Sequence, residues 1–259
     1  MTNSYIIHLP TSTARQPLVA ALVTQLPGAQ VVDAVDGRLM SAKQTRANYQ
    51  PHSHYPRYPF TLLPGEVGCF LSHRKCWQMI VDSGDDYALI VEDDVALNLD
   101  ILGPALALAL THMTPTRFIR LPLSNRETPA QMIAQAQDIT LFRPAIVGLG
   151  TAFQIVGRDI AARLLELTAP FDRPVDTFLQ MTWLTGADVA TAWPNGVASA
   201  AAIQGGSTIQ AGKPLLQKLP REWRRWRYRR QIRNLSERHL ALPDQTGHHT
   251  GANPDKGLS

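Results

Sequence analysis

The stretch ALIVEDDVAL, residues 88–97, decides the fold, because a short aliphatic run leads directly into three acids. Ala-Leu-Ile-Val is rich in branched side chains, which is typical of a buried strand in a sheet that is covered on both faces. Glu92, Asp93 and Asp94 follow where that strand leaves the core. In open α/β sheets, ligands bind at the edge formed by the carboxyl ends of the strands. Adjacent carboxylates there repel one another unless a cation, a basic partner or bound protons neutralise them. Three consecutive acids therefore indicate a binding site.

The residues around this stretch predict an α/β protein with a mostly parallel central sheet flanked by helices. Residues 4–9 and 29–37 read as strands, separated by a helix over residues 14–26 with Pro17 in its first turn. A long helix over residues 62–84 precedes the acidic strand, and residues 39–63, between the second strand and this helix, have no clear period. This strand–helix–strand order is typical of a Rossmann-like fold.

Later segments continue the alternation. Strands are predicted over residues 117–123, 140–147 and 150–158, and helices over residues 159–167 and 174–183. We expect one domain over residues 1–212, a basic and aromatic helical tail over 213–241, and a disordered end over 242–259.

The bulk composition describes a globular body with a basic tail. The 259 residues are 44% hydrophobic and carry a net charge of +4. Residues 219–238 contain eight arginines and two glutamates, so their local charge is +6 and the rest of the chain carries −2. The arginines are Arg221, Arg224, Arg225, Arg227, Arg229, Arg230, Arg233 and Arg238. The longest apolar run, residues 101–110, is too short to cross a bilayer, and no secretory signal is evident, so we expect a cytoplasmic protein.

Three kinds of protein place acids after such a strand. A receiver domain would need a phosphoacceptor aspartate after a later strand, whereas Asp138 precedes the apolar residues 139–142. A phosphatase of the haloacid dehalogenase type would need an aspartate where Glu92 stands, and the longer side chain would misplace the nucleophile. Sugar transfer from a nucleotide diphosphate needs hard oxygen ligands for a divalent cation, and this cluster supplies them.

Residues 64–95, PGEVGCFLSHRKCWQMIVDSGDDYALIVEDDV, closely resemble the hallmark of glycosyltransferase family 25. This family groups lipooligosaccharide galactosyltransferases with collagen galactosyltransferases. Four further blocks resemble the family in the same order: YIIHLPTSTAR at 5–15, DAVDG at 33–37, RFIRL at 117–121, and GTAFQIVGRDIAARLL at 150–165 followed by RPVD at 173–176. Phe153 stands where the family often has tyrosine, and few positions after residue 176 can be aligned, so donor and acceptor remain open.

The resemblance implies a GT-A-like fold, a UDP-sugar donor, commonly UDP-galactose, Mn²⁺ or Mg²⁺, and inversion at the anomeric carbon. It implies that Asp94 and Glu92 hold the metal and that Asp176 is the base, although Asp176 is also placed as an ordinary helix-start acid. We expect the donor to be contacted by residues from several blocks: Leu9, Arg15, Asp36, Gly37, Glu66, His73, Glu92, Asp93 and Arg120.

Some of these residues have alternative interpretations. Glu66, Cys69, His73 and Cys76 share one face of the predicted helix and could hold zinc, but zinc ligands usually come from more than one element. Contact of Glu66 or His73 with substrate competes with a capping role for Glu66 and a core role for His73. Arg120 could bind phosphate or form a salt bridge with the three acids across adjacent strands.

Together these observations predict a metal-dependent inverting transferase that moves a hexose onto a lipooligosaccharide or related glycan. The alternatives are a non-catalytic nucleotide-sugar-binding module, or a membrane- or nucleic-acid-binding protein that acts through its tail. Arginine and indole side chains suit an anionic membrane surface as well as nucleic acid. Because the resemblance implies a lipid-linked acceptor, we expect the tail, from Arg221 to Arg238, to attach peripherally to the inner face of the plasma membrane rather than to bind nucleic acid.

Overall fold

The computed structural model describes residues 2–203 and 219–241. Its centre is an eight-stranded sheet, and a two-stranded sheet lies beside it. The strands are β1 (Asn3–His8), β2 (Ala29–Asp33), β3 (Tyr87–Glu92), β4 (Val95–Leu97), β5 (Arg117–Arg120), β6 (Pro129–Ala136), β7 (Ile139–Pro144), β8 (Phe153–Gly157), β9 (Asp188–Trp193) and β10 (Val197–Ser199).

The large sheet has the order β2-β1-β3-β8-β5-β9-β7-β6. β1 pairs in parallel with both β2 and β3, and β5 pairs in parallel with β9. β8 and β7 run against their neighbours, so the other six strands share one direction. The predicted α/β class with a mostly parallel sheet is confirmed. The antiparallel β8 matters for the site, because its start lies beside the end of β3.

Helices cover both faces of the sheet. They are α1 (Gln16–Gln25), α2 (Ala42–Asn48), α3 (Pro64–Ser83), α4 (Leu99–Thr111), α5 (Arg158–Leu167), α6 (Val175–Leu179), α7 (Thr182–Thr185), α8 (Ala200–Ile203) and α9 (Leu219–Leu240). The helix predicted over residues 174–183 is divided into α6 and α7, and α2 lies inside the segment interpreted as irregular.

Two hydrophobic cores sandwich the sheet, and β3 contributes to both. Ala88 and Ile90 pack with α3 and α5 on one face, while Leu89 and Val91 pack on the opposite face. All four side chains are fully buried. This double burial explains why the strand before the acids is aliphatic at every position.

The loop after β2 contacts α3 backbone to backbone. A Cβ at Gly37 would lie 1.7 Å from the carbonyl oxygen of Pro64, and one at Gly68 would lie 2.3 Å from that of Val35. Only glycine allows two main chains to approach this closely. Gly37 therefore has a packing role that fixes the start of α3.

Helix α9 packs on the body of the protein. Tyr228 and Ile232 are buried in the same core as α3, and the Tyr228 hydroxyl accepts a hydrogen bond of 2.9 Å from the buried Arg173. The predicted boundary at 212 and the predicted disordered end over 242–259 lie outside the described residues. Within the described residues, none of the helices combines the length and the apolar character that crossing a membrane requires.

Candidate active site

The three acids lie at the carboxyl edge of the sheet, in the turn between β3 and β4. Glu92 ends β3, and Asp93 and Asp94 form the turn. The carbonyl oxygen of Asp94 accepts the backbone N–H of Ala200 at 2.8 Å, and β4 pairs with β10. The turn is therefore fixed from both sides.

Asp93 is buried and bound by two basic side chains. His8 Nδ1 lies 2.7 Å from its Oδ2, and Arg15 Nη1 donates to its Oδ1 at 2.5 Å. The second guanidinium nitrogen of Arg15 lies 3.5 Å from Asp94 Oδ2. Arg15 follows β1, which is parallel to β3, so adjacent strands deliver the acids and their basic partners to one edge.

Glu92 is held by the helix before its strand and by the loop that leads into the neighbouring strand β8. Thr151 donates its hydroxyl to Glu92 Oε1 at 2.5 Å, and His73 Nε2 lies 3.3 Å from the same oxygen. Burial alone would raise the pKa of Glu92, but His73, Thr151 and Arg15 together lower it below its ordinary value. Glu92 is thus a carboxylate at neutral pH, and the described contacts involve only Oε1.

Asp94 is the accessible member of the cluster, with 44% of its side chain exposed. Burial and the charge of Glu92 raise its pKa, against the opposing effect of Arg15. An exposed carboxylate beside a second, ionised carboxylate offers the oxygen ligands that suit a hard divalent cation. The residues present therefore fit Mn²⁺ or Mg²⁺.

A short loop, residues 148–151, connects the acids to Asp176. Thr151 donates to Glu92, as described, and the neighbouring Gly150 donates its backbone N–H to Asp176 Oδ2 at 3.1 Å. Gly150 has a φ of +93°, a conformation that favours glycine. Two consecutive residues thereby fix the position of Asp176 relative to the acidic cluster.

Asp176 lies in the first turn of α6, half-buried. Its Oδ1 accepts the backbone N–H of Thr177 at 2.7 Å and the Thr177 hydroxyl at 3.2 Å. It is therefore a helix-start acid, as the alternative interpretation holds, and it also faces the loop that binds Glu92. Asp176 can start the helix and also act as a base. Within the described part of the chain its Oδ2 accepts only the hydrogen bond from Gly150.

Arg120 contacts the same loop, residues 148–151, through its buried guanidinium. It is buried in an ion pair with Glu127, and it donates to the carbonyl oxygens of Leu149 and Gly150 at 3.0 and 3.2 Å. Glu127 in turn accepts the N–H of Gly148 and the hydroxyl of Thr191. Within the described residues Arg120 thus pairs with Glu127 and not with the three acids of the cluster, and its guanidinium holds the loop in place.

The α3 face that suggested zinc is only partly assembled. Ligand atoms of Cys69, His73 and Glu92 lie within 4.8 Å of one another, whereas Cys76 is buried in the core. Desolvation by the surrounding protein, then the charges of Glu92 and other acids, raise the pKa of the Cys69 thiol to about 12. Of the four residues that could hold zinc, Cys69 and His73 thus lie together beside Glu92. Glu66 caps α3, since its carboxylate accepts the Leu63 N–H at 2.6 Å.

The remaining expected donor contacts lie on loops near this edge. The carbonyl oxygen of Leu9 accepts the Ser12 N–H at 2.7 Å, which closes the turn that leads to Arg15. The carboxylate of Asp36 accepts hydrogen bonds from Arg38, which lower its pKa. In the described residues Asp36 makes no hydrogen bond to the acidic cluster. Whether these side chains contact a donor stays a prediction.

Sequence reasoning missed three residues of the site. His8 ends β1, and a histidine at the exit of a strand that neighbours β3 was a usable signal. Thr151 and Glu127 gave no comparable signal, because their contacts depend on the antiparallel placement of β8 and on a turn before β6.

A Rossmann-like α/β sheet with clustered carboxylates at the exit of a central strand defines the GT-A class of nucleotide-sugar-binding folds. Residues 1–179 match the family described as "Glycosyltransferase family 25 (LPS biosynthesis protein)". This match extends over most of the chain, and the chain belongs to glycosyltransferase family 25.

Curated relatives share a shorter segment. The chain is 36% identical over 90 residues to procollagen galactosyltransferase 1 of Danio rerio, covering 34% of this chain and 15% of that protein. It is 39% identical over 92 residues to inactive glycosyltransferase 25 family member 3 of Mus musculus, covering 32% and 16%. With human procollagen galactosyltransferase 2 it shares 35% identity over 85 residues, 31% of this chain and 13% of that protein. The chain thus spans less than a fifth of the length of these relatives.

Proposed function

We propose that this protein is a metal-dependent inverting glycosyltransferase that transfers galactose from UDP-galactose to a lipooligosaccharide or related glycan. The observation that carries the proposal is the connection of Glu92 to Asp176 through Thr151 and Gly150. An inverting transfer needs a leaving-group site and a base held at a fixed separation, and this loop supplies the connection.

Glu92 and Asp94 would hold the Mn²⁺ or Mg²⁺ ion. When bound, the ion supplies Lewis-acid stabilisation of the departing diphosphate. Around it, His8 and Arg15 orient Asp93, and His73 and Thr151 fix Glu92. Arg15 is 45% exposed on its side chain, so its guanidinium can also reach a diphosphate oxygen.

Asp176 would accept the proton of the attacking acceptor hydroxyl. Its carboxylate is oriented by Gly150 and Thr177, so the side chain needs little reorganisation when the acceptor binds. Arg120 and Glu127 act one step further away, because they hold the loop that carries Gly150.

The choice of galactose is supported by the names of two relatives, which are galactosyltransferases. Another relative carries the name of an inactive family member, which favours one alternative, a nucleotide-sugar-binding module without transfer. The acidic cluster and the Asp176 connection are both present here, and this supports the enzyme over the module.

We further propose that the acceptor is lipid-linked and that α9 attaches the protein peripherally to the inner face of the plasma membrane. Trp223 and Trp226 on α9 are 57% and 56% exposed, and most of its arginines are exposed beside them. Exposed indoles with arginines suit an anionic headgroup region. Because Tyr228 and Ile232 anchor α9 in the core, the test is substitution of Trp226 and Arg230 by alanine with sedimentation on anionic vesicles, rather than deletion. Unchanged sedimentation would contradict this attachment.

A donor screen tests the main proposal. UDP-, GDP- and CMP-sugars are incubated with the protein, Mn²⁺ and a deacylated lipooligosaccharide, and the released nucleotide is measured. The proposal predicts release of UDP from UDP-galactose, increased by acceptor and abolished by a chelator. Metal-dependent UDP binding without any release would favour the non-catalytic module.

A further inference from the structure

A groove separate from the acidic cluster lies between residues 52–61 and helix α9. Its main cavity has a volume of about 410 Å³, and a second cavity of about 430 Å³ continues it along Phe60 and Pro220. Arg224 and Pro59 line both cavities. A volume of this size accommodates one or two sugar rings.

The groove is basic and aromatic. Arg57, Arg224 and Arg227 line it together with Tyr55 and Trp223, and no carboxylate lines either cavity among the described residues. Arg227 stacks on the Trp223 ring with its guanidinium carbon 5.7 Å from the centroid. Arg57 and Arg224 make no ion pair or hydrogen bond within residues 2–203 and 219–241. Unpaired guanidinium groups bind phosphate or carboxylate, and exposed rings pack against the apolar face of a sugar.

The groove is rigidly joined to the segment that carries Asp176. Arg173, fully buried, donates to the carbonyl oxygens of His54 and Pro56 on one groove wall, and to the Tyr228 hydroxyl on the other wall. The backbone N–H of His54 donates to Asp172, which also binds Arg173. Asp172, Arg173 and Asp176 lie within five consecutive residues, so the groove walls and the candidate base are positioned by one short segment.

One wall of the groove continues along the chain into the start of α3. Residues 59–61 lead directly into Leu63 and Glu66 at the start of α3. Desolvation and then the charges of Glu66 and Asp176 raise the pKa of Tyr58 to about 12, which agrees with a wall that lies between the groove and the base.

We infer that this groove is an acceptor subsite that binds a phosphate- or carboxylate-bearing saccharide. The inference rests on the proposed transfer reaction for its role, since the bound saccharide would present a neighbouring hydroxyl to Asp176. The anion is held by Arg57 and Arg224, and the sugar ring packs against Tyr55 and Trp223.

Ligand binding to the full chain tests the subsite without requiring catalysis. The ligands are glucose 6-phosphate, glucose and inorganic phosphate, and their binding is measured by saturation-transfer and phosphorus NMR. The test variant is Arg57→Ala/Arg224→Ala, and the control is Arg229→Ala/Arg233→Ala, which removes the same charge from exposed positions outside the groove. We expect glucose 6-phosphate to bind the wild type and the control about ten-fold more tightly than either glucose or phosphate, and the test variant to lose that preference.

Equal binding by test and control variants would overturn the subsite, as would equal binding of glucose 6-phosphate and inorganic phosphate. The subsite would also be overturned if Arg57→Ala/Arg224→Ala lost only its binding to anionic vesicles or to single-stranded RNA, because the groove would then bind a membrane or nucleic acid. UDP release from UDP-galactose in the presence of deacylated lipooligosaccharide is measured in parallel. Its absence in the wild type, with glucose 6-phosphate binding intact, would refute the transfer reaction and leave the binding site standing.

Discussion

At the scale of the residue, the site depends on which side chains hold the carboxylates. Asp93 has two basic partners, Glu92 has a histidine and a hydroxyl, and Asp94 is left accessible beside them. Glu92 and Asp94 differ in proton affinity, because burial and the charge of Glu92 raise the pKa of Asp94, while the hydrogen-bond partners of Glu92 lower its own. Asp94 is the member whose charge is least neutralised by the protein, which is why we assign it to the cation.

Asp176→Asn tests the assignment of the base. The substitution keeps the size of the side chain but removes its ability to take a proton, so we expect kcat for transfer to fall by at least about 100-fold while UDP binding is retained. The measurement is galactose transfer at saturating donor, together with calorimetry of UDP. Asp159→Asn, which alters another first-turn acid in α5, is the control. Equal activities of the two variants would reduce Asp176 to an ordinary helix-start acid.

Thr151→Val tests the hydrogen bond to Glu92. Valine keeps the shape of threonine without the hydroxyl, and the loss of a hydrogen bond to a charged group weakens the fixed position of Glu92. We expect about a ten-fold weaker affinity for Mn²⁺ in the presence of UDP, which corresponds to ~1.4 kcal/mol. Thr151→Ser should restore the affinity, and a serine variant as weak as valine would argue against the hydroxyl.

At the scale of the element, the site is built where parallel and antiparallel strands meet. β1 and β3 end at the same edge because they are parallel, and β8 begins at that edge because it is antiparallel. This arrangement brings Arg15, the acids and Thr151 together from three distant parts of the chain. The backbone contact between the loop after β2 and α3 then sets the position of the helix that carries His73.

Gly37→Ala tests that contact. A Cβ would overlap the carbonyl of Pro64, which is main chain and cannot rotate away, so we expect a loss of more than about 2 kcal/mol in the free energy of unfolding. Gly65→Ala is the matched control in α3, where a Cβ meets nothing within 4 Å and alanine favours the helix. Urea denaturation compares the two variants. A Gly37→Ala protein as stable as Gly65→Ala would show that the loop can move.

Local patterns in the sequence predicted helices and strands only where the apolar pattern was clear. Helix α3 and strand β3 followed from an apolar face and a branched run, and Pro17 correctly marked the first turn of α1. Strands β4, β6, β9 and β10 and helices α2, α4 and α8 were not predicted. β6 is mostly exposed, and α2 has a capping box, Ser41 with Gln44, but no buried face. The contacts of Thr151 and Arg120 require strand pairing, which no local pattern encodes.

At the scale of the whole molecule, one buried cluster joins three distant parts of the chain. Arg173 joins Asp172, residues 54–56 and Tyr228 of α9, so the basic helix that looks like a tail in the sequence is part of the body. Sequence reasoning separated it because its charge dominates its composition, while its anchoring depends on two side chains, Tyr228 and Ile232.

The pH dependence of stability tests this cluster. Burial alone would raise the pKa of Asp172, but hydrogen bonds from His54 and Arg173 lower it well below its ordinary value. A lowered pKa stabilises the folded state above the unfolded value, about 4, and this stabilisation is lost as the pH falls toward the folded value. We therefore expect the wild type to lose more unfolding free energy between pH 5 and pH 3 than Asp172→Asn does.

The same variant should be less stable at pH 7 by about 3 kcal/mol, because Arg173 would remain buried without its counter-ion. Urea denaturation at each pH measures both effects, and Asp86→Asn, at an exposed position, is the control. Parallel pH profiles for the wild type and Asp172→Asn would show that the pair does not stabilise the fold in this way.

The central claim is that one divalent cation is held jointly by Glu92, Asp94 and the diphosphate of a UDP-sugar. Electron paramagnetic resonance of Mn²⁺, titrated into the protein with and without UDP, tests it most directly. The account predicts that UDP tightens Mn²⁺ binding by at least about ten-fold in the wild type and has no such effect in Asp94→Asn. Mn²⁺ affinity that is independent of UDP, or that is unchanged in Asp94→Asn, would contradict it.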